Sequence, residues 1–403
     1  MTERRAAEIR VVTYVFKRHV GEIYGGERSC AAVLSAMAEL RRAVVVNCDN
    51  GFASLVRMAG IPVRVIPAGD PFTGFREARW RTRLRHAADW FRHNAELFRA
   101  LHGAQPDVVH ANDVREVVMG GLALALLRRP VVTHVRCEMR MRAMHQAVLC
   151  LSASSVSVSQ AICDTHIRRA HPALRKRIAQ RSRVIHNGVD LAAVDRRLAT
   201  VDRPALRKAL GLAPGDVVAL VVGSFEERKG QLELVRDVLP QALVALPALH
   251  VLMAGGTKGD GYRERTAQAV RRLPAPERVR ILGFRADVPD LLAVTDMVLL
   301  PSKQEGLPRA ILEAAASSVP AVAFGVSGTP ETIIDGSSGF IVAPGDHDSF
   351  RARLVQLGRD GALRRRMGRS ARTLAEQRFE LNTTGRRTAA VIVAAADAAR
   401  SRR

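Results

Sequence analysis

The feature that most constrains this chain is a rhythm of short apolar runs, rich in Val, Ile and Leu, alternating with longer amphipathic segments. IRVVTYVF (Ile9 to Phe16) reads as a buried strand, and SCAAVLSAMAEL as the helix that follows it. AVVVNC, PVRVI, DVVHAN and PVVTHV continue as strands. Near-continuous apolar strands are buried on both faces, which calls for a parallel sheet covered by helices. SRVIHNGVDL (Ser182 to Leu191) reads as a strand ending in an Asn-Gly turn, followed by a polar stretch to about Arg203. There the rhythm restarts. VVALVVGSF (Val217 to Phe225) is a strand, Gly230 to Leu246 a helix, and HVLMAGG, RVRILGF, MVLLPS, PAVAF and GFIVAP are further strands. A chain of 403 residues is too long for one ordinary core. The expectation is two Rossmann-like α/β domains, residues 1–188 and 189–381, with an Ala/Arg-rich helix over 382–403.

Composition narrows the classes of function. Hydrophobic residues make up 47% and charged ones 25%, a soluble globular balance. The formal net charge of +23 attracts polyanions, so nucleic acid, anionic lipid and nucleotide ligands all come into view. Only 4% aromatics, with no RNP-like or helix-turn-helix signature, count against a nucleic-acid binder. No run approaches the roughly 18 apolar residues of a spanning helix, and MTERRAAEIRVVTYVF lacks a signal-peptide layout, so a cytoplasmic protein is expected. Cys30, Cys48, Cys137, Cys150 and Cys163 are scattered without a CxxC pair, which implies reduced thiols and no metal site. His19, His86 and His93 show no metal-ligand spacing either.

A long helix is expected from Phe75 to His102. Leu84, Ala88, Phe91, Ala95 and Phe98 recur at three- and four-residue spacing and predict its core face. Arg76, Arg79, Arg81, Arg83, Arg85 and Arg92 line the remainder. A solvated basic face is one reading; a peripheral surface for an anionic membrane is the other.

Neither half has GxGxxG after its first strand, which weakens a dinucleotide dehydrogenase, and no GxxxxGK[ST] is present for a P-loop NTPase. The best signal for chemistry is QEGLPRAILEAAASS. It follows the buried strand MVLLPS, and the carboxyl ends of strands are where open α/β sheets bind ligands. Pro308 predicts a helix start, with Glu305 just before it and Glu313 five residues on, about 7.5 Å further along the axis. Carboxylates so separated are not a close acid–base pair. They can hold two sets of hydroxyls with a phosphate at the helix start between them. Glu305 as an ordinary loop acid and Glu313 as a solvated helix residue are the plain alternatives.

The segment TDMVLLPSKQEGLPRAILEAAASSVPAVAFGVSGTPETIIDGSSGFIVAPGD (Thr295 to Asp346), with its E-x7-E spacing, resembles the retaining glycosyltransferases of family 4, which have the GT-B fold. VVGSFEERKGQLELV resembles that family's phosphate-binding loop, RILGFRADVPDLLAVTDM its nucleotide-contacting region, and IHNGVD the entry to its second domain. YGGERSCAAVLSAMAEL, PDVVHAND and VVTHVR resemble parts of its first domain, so the likeness covers most of the chain.

The resemblance implies two Rossmann-like domains whose parallel sheets face each other across an interdomain cleft, the first binding acceptor and the second binding nucleotide sugar. It also implies that the C-terminal helix packs back on the first domain. By the same likeness, Glu313 binds the ribose, Glu305 contacts the donor sugar, and Gly306 and Leu307 offer backbone N–H groups. Lys229 neutralises the diphosphate, Arg285 lies near the base, Gly25 and Gly26 form a loop approaching the donor, and His134 lies near its sugar.

One position departs from the pattern: Ser224 follows Gly223 where the family usually has Arg, with Arg228 as the neighbouring substitute. Breaking a sugar–phosphate bond places negative charge on the leaving diphosphate, which Lys229, Arg228 and the helix start can stabilise with no metal or other cofactor. The implied reaction is transfer from a nucleoside diphosphate sugar to a glycan or lipid-linked acceptor with retention. The alternatives are a sugar-nucleotide epimerase, a phosphorylase, or a catalytically impaired binding subunit. Acceptor recognition is expected around Pro67 to Gly74 and Glu138 to His145.

Overall fold

The computed structural model describes residues 6–16, 23, 25–66, 80–138, 147–148, 150–257 and 261–401. It divides into two compact units, Met1–Gly188 with Leu381–Arg403, and Val189–Glu380.

The first unit holds a seven-stranded parallel sheet. Its strands are β1 (Arg10–Val15), β2 (Arg41–Val46), β3 (Val63–Val65), β4 (Val108–Ala111), β5 (Val131–Val135), β6 (Ser152–Ser157) and β7 (Ser182–Val184), in the order β3-β2-β1-β4-β5-β6-β7. Because successive strand residues point to opposite faces, both faces must be covered. Val11, Val44, Val108, Val132 and Val156 pack with Cys30, Leu34, Ile392 and Val393, from helices Gly25–Ala36 and Leu381–Arg400. Val12, Tyr14, Val45, Val109 and Val131 pack on the other side with Leu97, Leu101, Val117 and Leu124. Gly385 allows the C-terminal helix its close seat on the first one. A Cβ there would lie 2.5 Å from the Ala36 Cβ.

The second unit holds a six-stranded parallel sheet of β8 (Val217–Val222), β9 (Leu249–Ala254), β10 (Val279–Gly283), β11 (Met297–Leu300), β12 (Ala321–Phe324) and β13 (Gly339–Val342), in the order β10-β9-β8-β11-β12-β13. Its two faces are packed by Phe225, Leu239, Leu243, Phe350 and Leu354 on one side and Leu291, Ile311 and Ala314 on the other. In each unit the strand order reverses once, between β1 and β4 and between β8 and β11. Open α/β sheets bind ligands at that crevice.

Three details depart from the sequence reading. The long helix spans Trp80–Ala104, and Phe75, Arg76 and Arg79 lie outside the described residues. Of the expected inner face only Phe98 packs against the core. Leu84 and Phe91 are 61% and 58% exposed, and Ala88 and Ala95 are exposed with them, while His93, Asn94, Leu97, Ala100 and Leu101 are buried. The cause is hydrogen bonding by polar residues. Asn94 donates to Trp90 O and Met119 O and accepts from Ala123 N, and His93 Nε2 meets Tyr14 Oη at 2.6 Å. With its partners supplied, Asn94 can be buried in place of an apolar residue, and His93 is held at Nε2, although its Nδ1 has no partner among the described residues. The Ser-rich strand β6 was not expected; across the sheet Thr133 pairs with Ser152 and Ser182 with Ser155, at 2.6 and 2.9 Å, while the buried Ser157 hydroxyl has no hydrogen-bond partner among the described residues. The helix expected over Gly230 to Leu246 widens into a π-turn at Leu234–Val238. Pro240, two residues beyond, has no N–H to give to the Arg236 carbonyl.

Candidate functional site

In the second unit the loops leaving β8 and β11 meet at the sheet's reversal point. The first runs from Gly223 through a short turn, Glu227–Lys229, to Gly230. Gly230 has φ +69°, and a Cβ there would lie 2.1 Å from Pro301 O. Only glycine permits that approach. The seam is also held by Lys303 N donating to Arg228 O at 2.8 Å.

This approach brings Lys229 and Glu305 together. Lys229 Nζ donates to Glu305 Oε1 at 2.5 Å, and Ser302 Oγ donates to the same oxygen at 2.8 Å. The pair is well buried, with side chains 14% and 7% exposed. Burying two charges costs several kcal/mol per ion before pairing, roughly, so a site that retains them has a use for charge or for polar specificity. Arg228 stands beside them, its NH2 donating to Glu226 Oε1 at 2.6 Å and its NH1 directed at Gln304 O at 3.5 Å. Ser224 Oγ donates to that same Glu226 oxygen at 2.5 Å. Thus Ser224 and Arg228, the two residues at issue in the departure from the family pattern, share one carboxylate.

Pro308 is the N-cap of helix Arg309–Ala316, with Gly306 and the buried Leu307 in the loop just before it. The helix stops short of Ser317 and Ser318, ending at Ala316, and Ser318 takes φ +59°. Glu313 lies on the helix, and its Oε1 accepts from Arg309 NH2 at 2.7 Å. Arg285, after β10, is clasped by Asp287 in two hydrogen bonds of 2.7 and 2.5 Å. Its strand is separated from β8, whose loop carries Lys229, by β9.

The first unit gathers different chemistry at its reversal point. Gly25 and Gly26 open helix Gly25–Ala36, and a Cβ on Gly26 would lie 3.7 Å from Arg136 Cδ. Arg136 follows β5; its Nε donates to Asn112 O at 2.9 Å and Oδ1 at 3.0 Å, and its NH1 to Asn187 Oδ1 at 3.1 Å. His134 is buried on β5 and touches His110. Burial, then the Arg136 charge, then His110 hold its pKa well below the ordinary value. Glu116 is buried too. Its Oε1 accepts from Phe16 N at 3.0 Å, while Oε2 has no hydrogen-bond partner among the described residues. Burial, followed by the Asp113 charge, raises its pKa to about 8. Arg136, Glu116, Asn112 and Asn187 were not singled out in the sequence. For Arg136, Asn112 and Asn187 the available signal was their position just beyond strand ends, in VVTHVR, HAND and IHNG; Glu116 lies within the helix Val114–Met119 and carried none. Residues 67–74 and 139–145, where acceptor recognition was expected, lie outside the described residues. Among the described residues, no group of three or more His, Cys, Asp or Glu is disposed to hold a metal ion.

Two family descriptions match the chain. "Glycosyltransferase Family 4" matches residues 23–193 and "Glycosyl transferases group 1" residues 202–374, together most of its length. The chain belongs to the family 4 glycosyltransferases.

Among curated relatives of this glycosyltransferase, D-inositol 3-phosphate glycosyltransferase of Mycobacterium marinum is 34% identical over 206 residues. That match covers 50% of this chain but only 40% of the relative. UDP-Gal:alpha-D-GlcNAc-diphosphoundecaprenol alpha-1,3-galactosyltransferase of Escherichia coli is 25% identical, covering 66% of this chain and 70% of its own. Among solved structures, Anabaena Alr3699/HepE in complex with UDP and glucose superposes with a TM-score of 0.79 at 22% identity, over 96% of this chain and 100% of that one. The latter likeness extends the GT-B fold to both units.

Proposed function

We propose that this glycosyltransferase moves a sugar from a nucleoside diphosphate sugar to a hydroxyl of a glycan or lipid-linked acceptor, with retention of anomeric configuration. The observation that carries the reading is the buried Lys229–Glu305 pair at the β8/β11 reversal, at the head of the helix bearing Glu313. In this reading Glu305 accepts from sugar hydroxyls and Glu313 from the ribose. Lys229 and Arg228 meet the diphosphate, whose negative charge grows as the glycosidic bond breaks. Arg309 and Asp287 are the groups from which Glu313 and Arg285 must turn to engage a donor. Gly306 and Leu307 line the loop; Gly25, Gly26 and His134 are the ligand contacts assigned to the first unit. No metal or other cofactor is assigned a step. Uridine is the first base to try, since the Anabaena protein was solved with UDP and the E. coli relative is named for UDP-Gal.

The acceptor side of the proposal includes a peripheral seat on an anionic membrane surface, at the cytoplasmic face. No helix among the described residues is long and apolar enough to cross a membrane. The outward stripe of Leu84, Ala88, Phe91 and Ala95, with exposed Arg81, Arg85, Arg92 and Arg99 nearby, supports surface attachment instead. The E. coli relative is named for a diphosphoundecaprenol-linked substrate.

A thermal-shift screen of UDP, GDP and ADP sugars tests the donor. Stabilisation by at least one of these is expected, and no stabilisation by any would overturn the reading. Flotation with anionic liposomes at low salt, lost at high salt or in Leu84→Glu/Phe91→Glu, tests attachment; indifference to lipid charge would remove it.

A further inference from the structure

The first unit contains a hydrogen-bond relay that fixes the chemical form of His134. Thr13, His110 and His134 stand on the neighbouring strands β1, β4 and β5. Thr13 Oγ1 lies 3.1 Å from His110 Nδ1, and His110 Nε2 lies 2.6 Å from His134 Nδ1. The rings meet edge to face, at 75° with centroids 4.9 Å apart. Thr13 and His110 are fully buried and His134 is 2% exposed.

Burial and the nearby Arg136 guanidinium push the pKa of His110 down to about 3, and that of His134 is well below normal. Both rings are therefore neutral at physiological pH, with one N–H each. Only two arrangements then satisfy both contacts. In one, His134 Nδ1–H donates to His110 Nε2 and His110 Nδ1–H donates to the Thr13 hydroxyl. The Thr13 proton is then left inside the sheet, because His110 Nδ1 is the hydroxyl's hydrogen-bond partner. A buried donor without an acceptor is disfavoured. In the other, the Thr13 hydroxyl donates to His110 Nδ1, and His110 Nε2–H donates to His134 Nδ1. Every proton inside the relay then has an acceptor, and the one donor left over is Nε2–H of His134, at the open end of the chain.

We propose that Thr13 and His110 are positioning residues that lock His134 as the Nε2–H tautomer, so that it meets a ligand as a neutral hydrogen-bond donor and not as a base. The ligand atom it suits is an oxygen acceptor, such as a sugar hydroxyl or phosphate oxygen. The identity of that ligand rests on the glycosyl-transfer reading; the tautomer does not.

The test is nitrogen NMR of the full-length protein labelled with 15N-histidine, the two rings being assigned with His110→Gln and His134→Gln. Long-range proton–nitrogen correlations at neutral pH are expected to show Nε2 protonated and Nδ1 bare in both rings. The near-isosteric Thr13→Val, which removes the hydroxyl that donates to His110 Nδ1, is expected to weaken that preference and to lower kcat about tenfold, the scale of one misplaced hydrogen bond, with the donor KM little changed. Thr13→Ser is expected to restore both. An Nδ1–H signal from His134, or tautomers unmoved in Thr13→Val, would overturn the proposal. If no sugar nucleotide is turned over but the tautomers are as stated, the relay stands and the glycosyl-transfer reading falls.

Discussion

The two units reverse strand order at the same place in their sheets, yet they put opposite kinds of chemistry there. The second presents a buried ion pair, Lys229 with Glu305, and a further cation in Arg228. Around β4 and β5 the first presents neutral histidines and a Glu116 whose pKa is about 8. A shared scaffold sets where a ligand can approach. The residues just past the strand ends set whether the site answers charge or offers neutral hydrogen bonds.

Changes on the charged side have the largest expected effects. Glu305→Gln leaves Lys229 buried without its counter-ion and removes the assigned sugar contact. We expect turnover to fall about 10²- to 10³-fold in a folded protein, read by steady-state kinetics alongside circular dichroism. Retention of most activity would erase the distinction between the units. Gly230→Ala must move either φ +69° or Pro301. A loss of about 2 kcal/mol is expected, measured as a lower urea midpoint with an unchanged slope; no loss would mean that the β8 loop can detach from β11. Glu313→Ala is expected to raise the donor KM about tenfold, the scale of charge-assisted hydrogen bonds, with a smaller change in kcat.

The neutral side answers to pH. Glu116 is raised from its ordinary value to about 8, so the folded chain holds a proton that the unfolded chain releases. Its stability contribution is full below the ordinary carboxylate range and is lost as pH rises through about 8. Glu116→Gln is expected to gain on the wild type as pH rises across that window, by urea titration. His93 and His110, lowered to about 4 and about 3, act with the opposite sign. Their contribution is full above the usual histidine value and is lost as pH falls towards those values. Hydrogen exchange should show the first unit loosening on mild acidification, and equal loosening of both units would blunt the comparison.

Much of the fold was legible because Val- and Leu-rich runs such as VVALVVGSF have few alternatives to buried parallel strands. What escaped had side chains that satisfied one another across space. Strand β6 hides in SASSVS, where Thr133 and Ser182 supply partners for the hydroxyls of Ser152 and Ser155. On the helix Trp80–Ala104, Leu84, Ala88, Phe91 and Ala95 lie outward, against expectation, because His93 and Asn94 find partners inside. At the site, local spacing displayed Glu305, Pro308 and Glu313 within one stretch. The Lys229–Glu305 pair joins residues 76 apart, and only the adjacency of β8 and β11 discloses it. Likewise, nothing in DVVHAN or PVVTHV taken singly reveals that His110 and His134 touch.

Calorimetric titration of UDP and UDP-glucose into the wild type, Glu305→Gln and Glu313→Ala bears most directly on the claim that the second unit's charged loops hold a sugar nucleotide. We expect saturable binding to the wild type, weaker binding of both ligands to Glu313→Ala, and a selective loss for the sugar-bearing ligand in Glu305→Gln. Equal binding to all three proteins would contradict the assignment of these carboxylates.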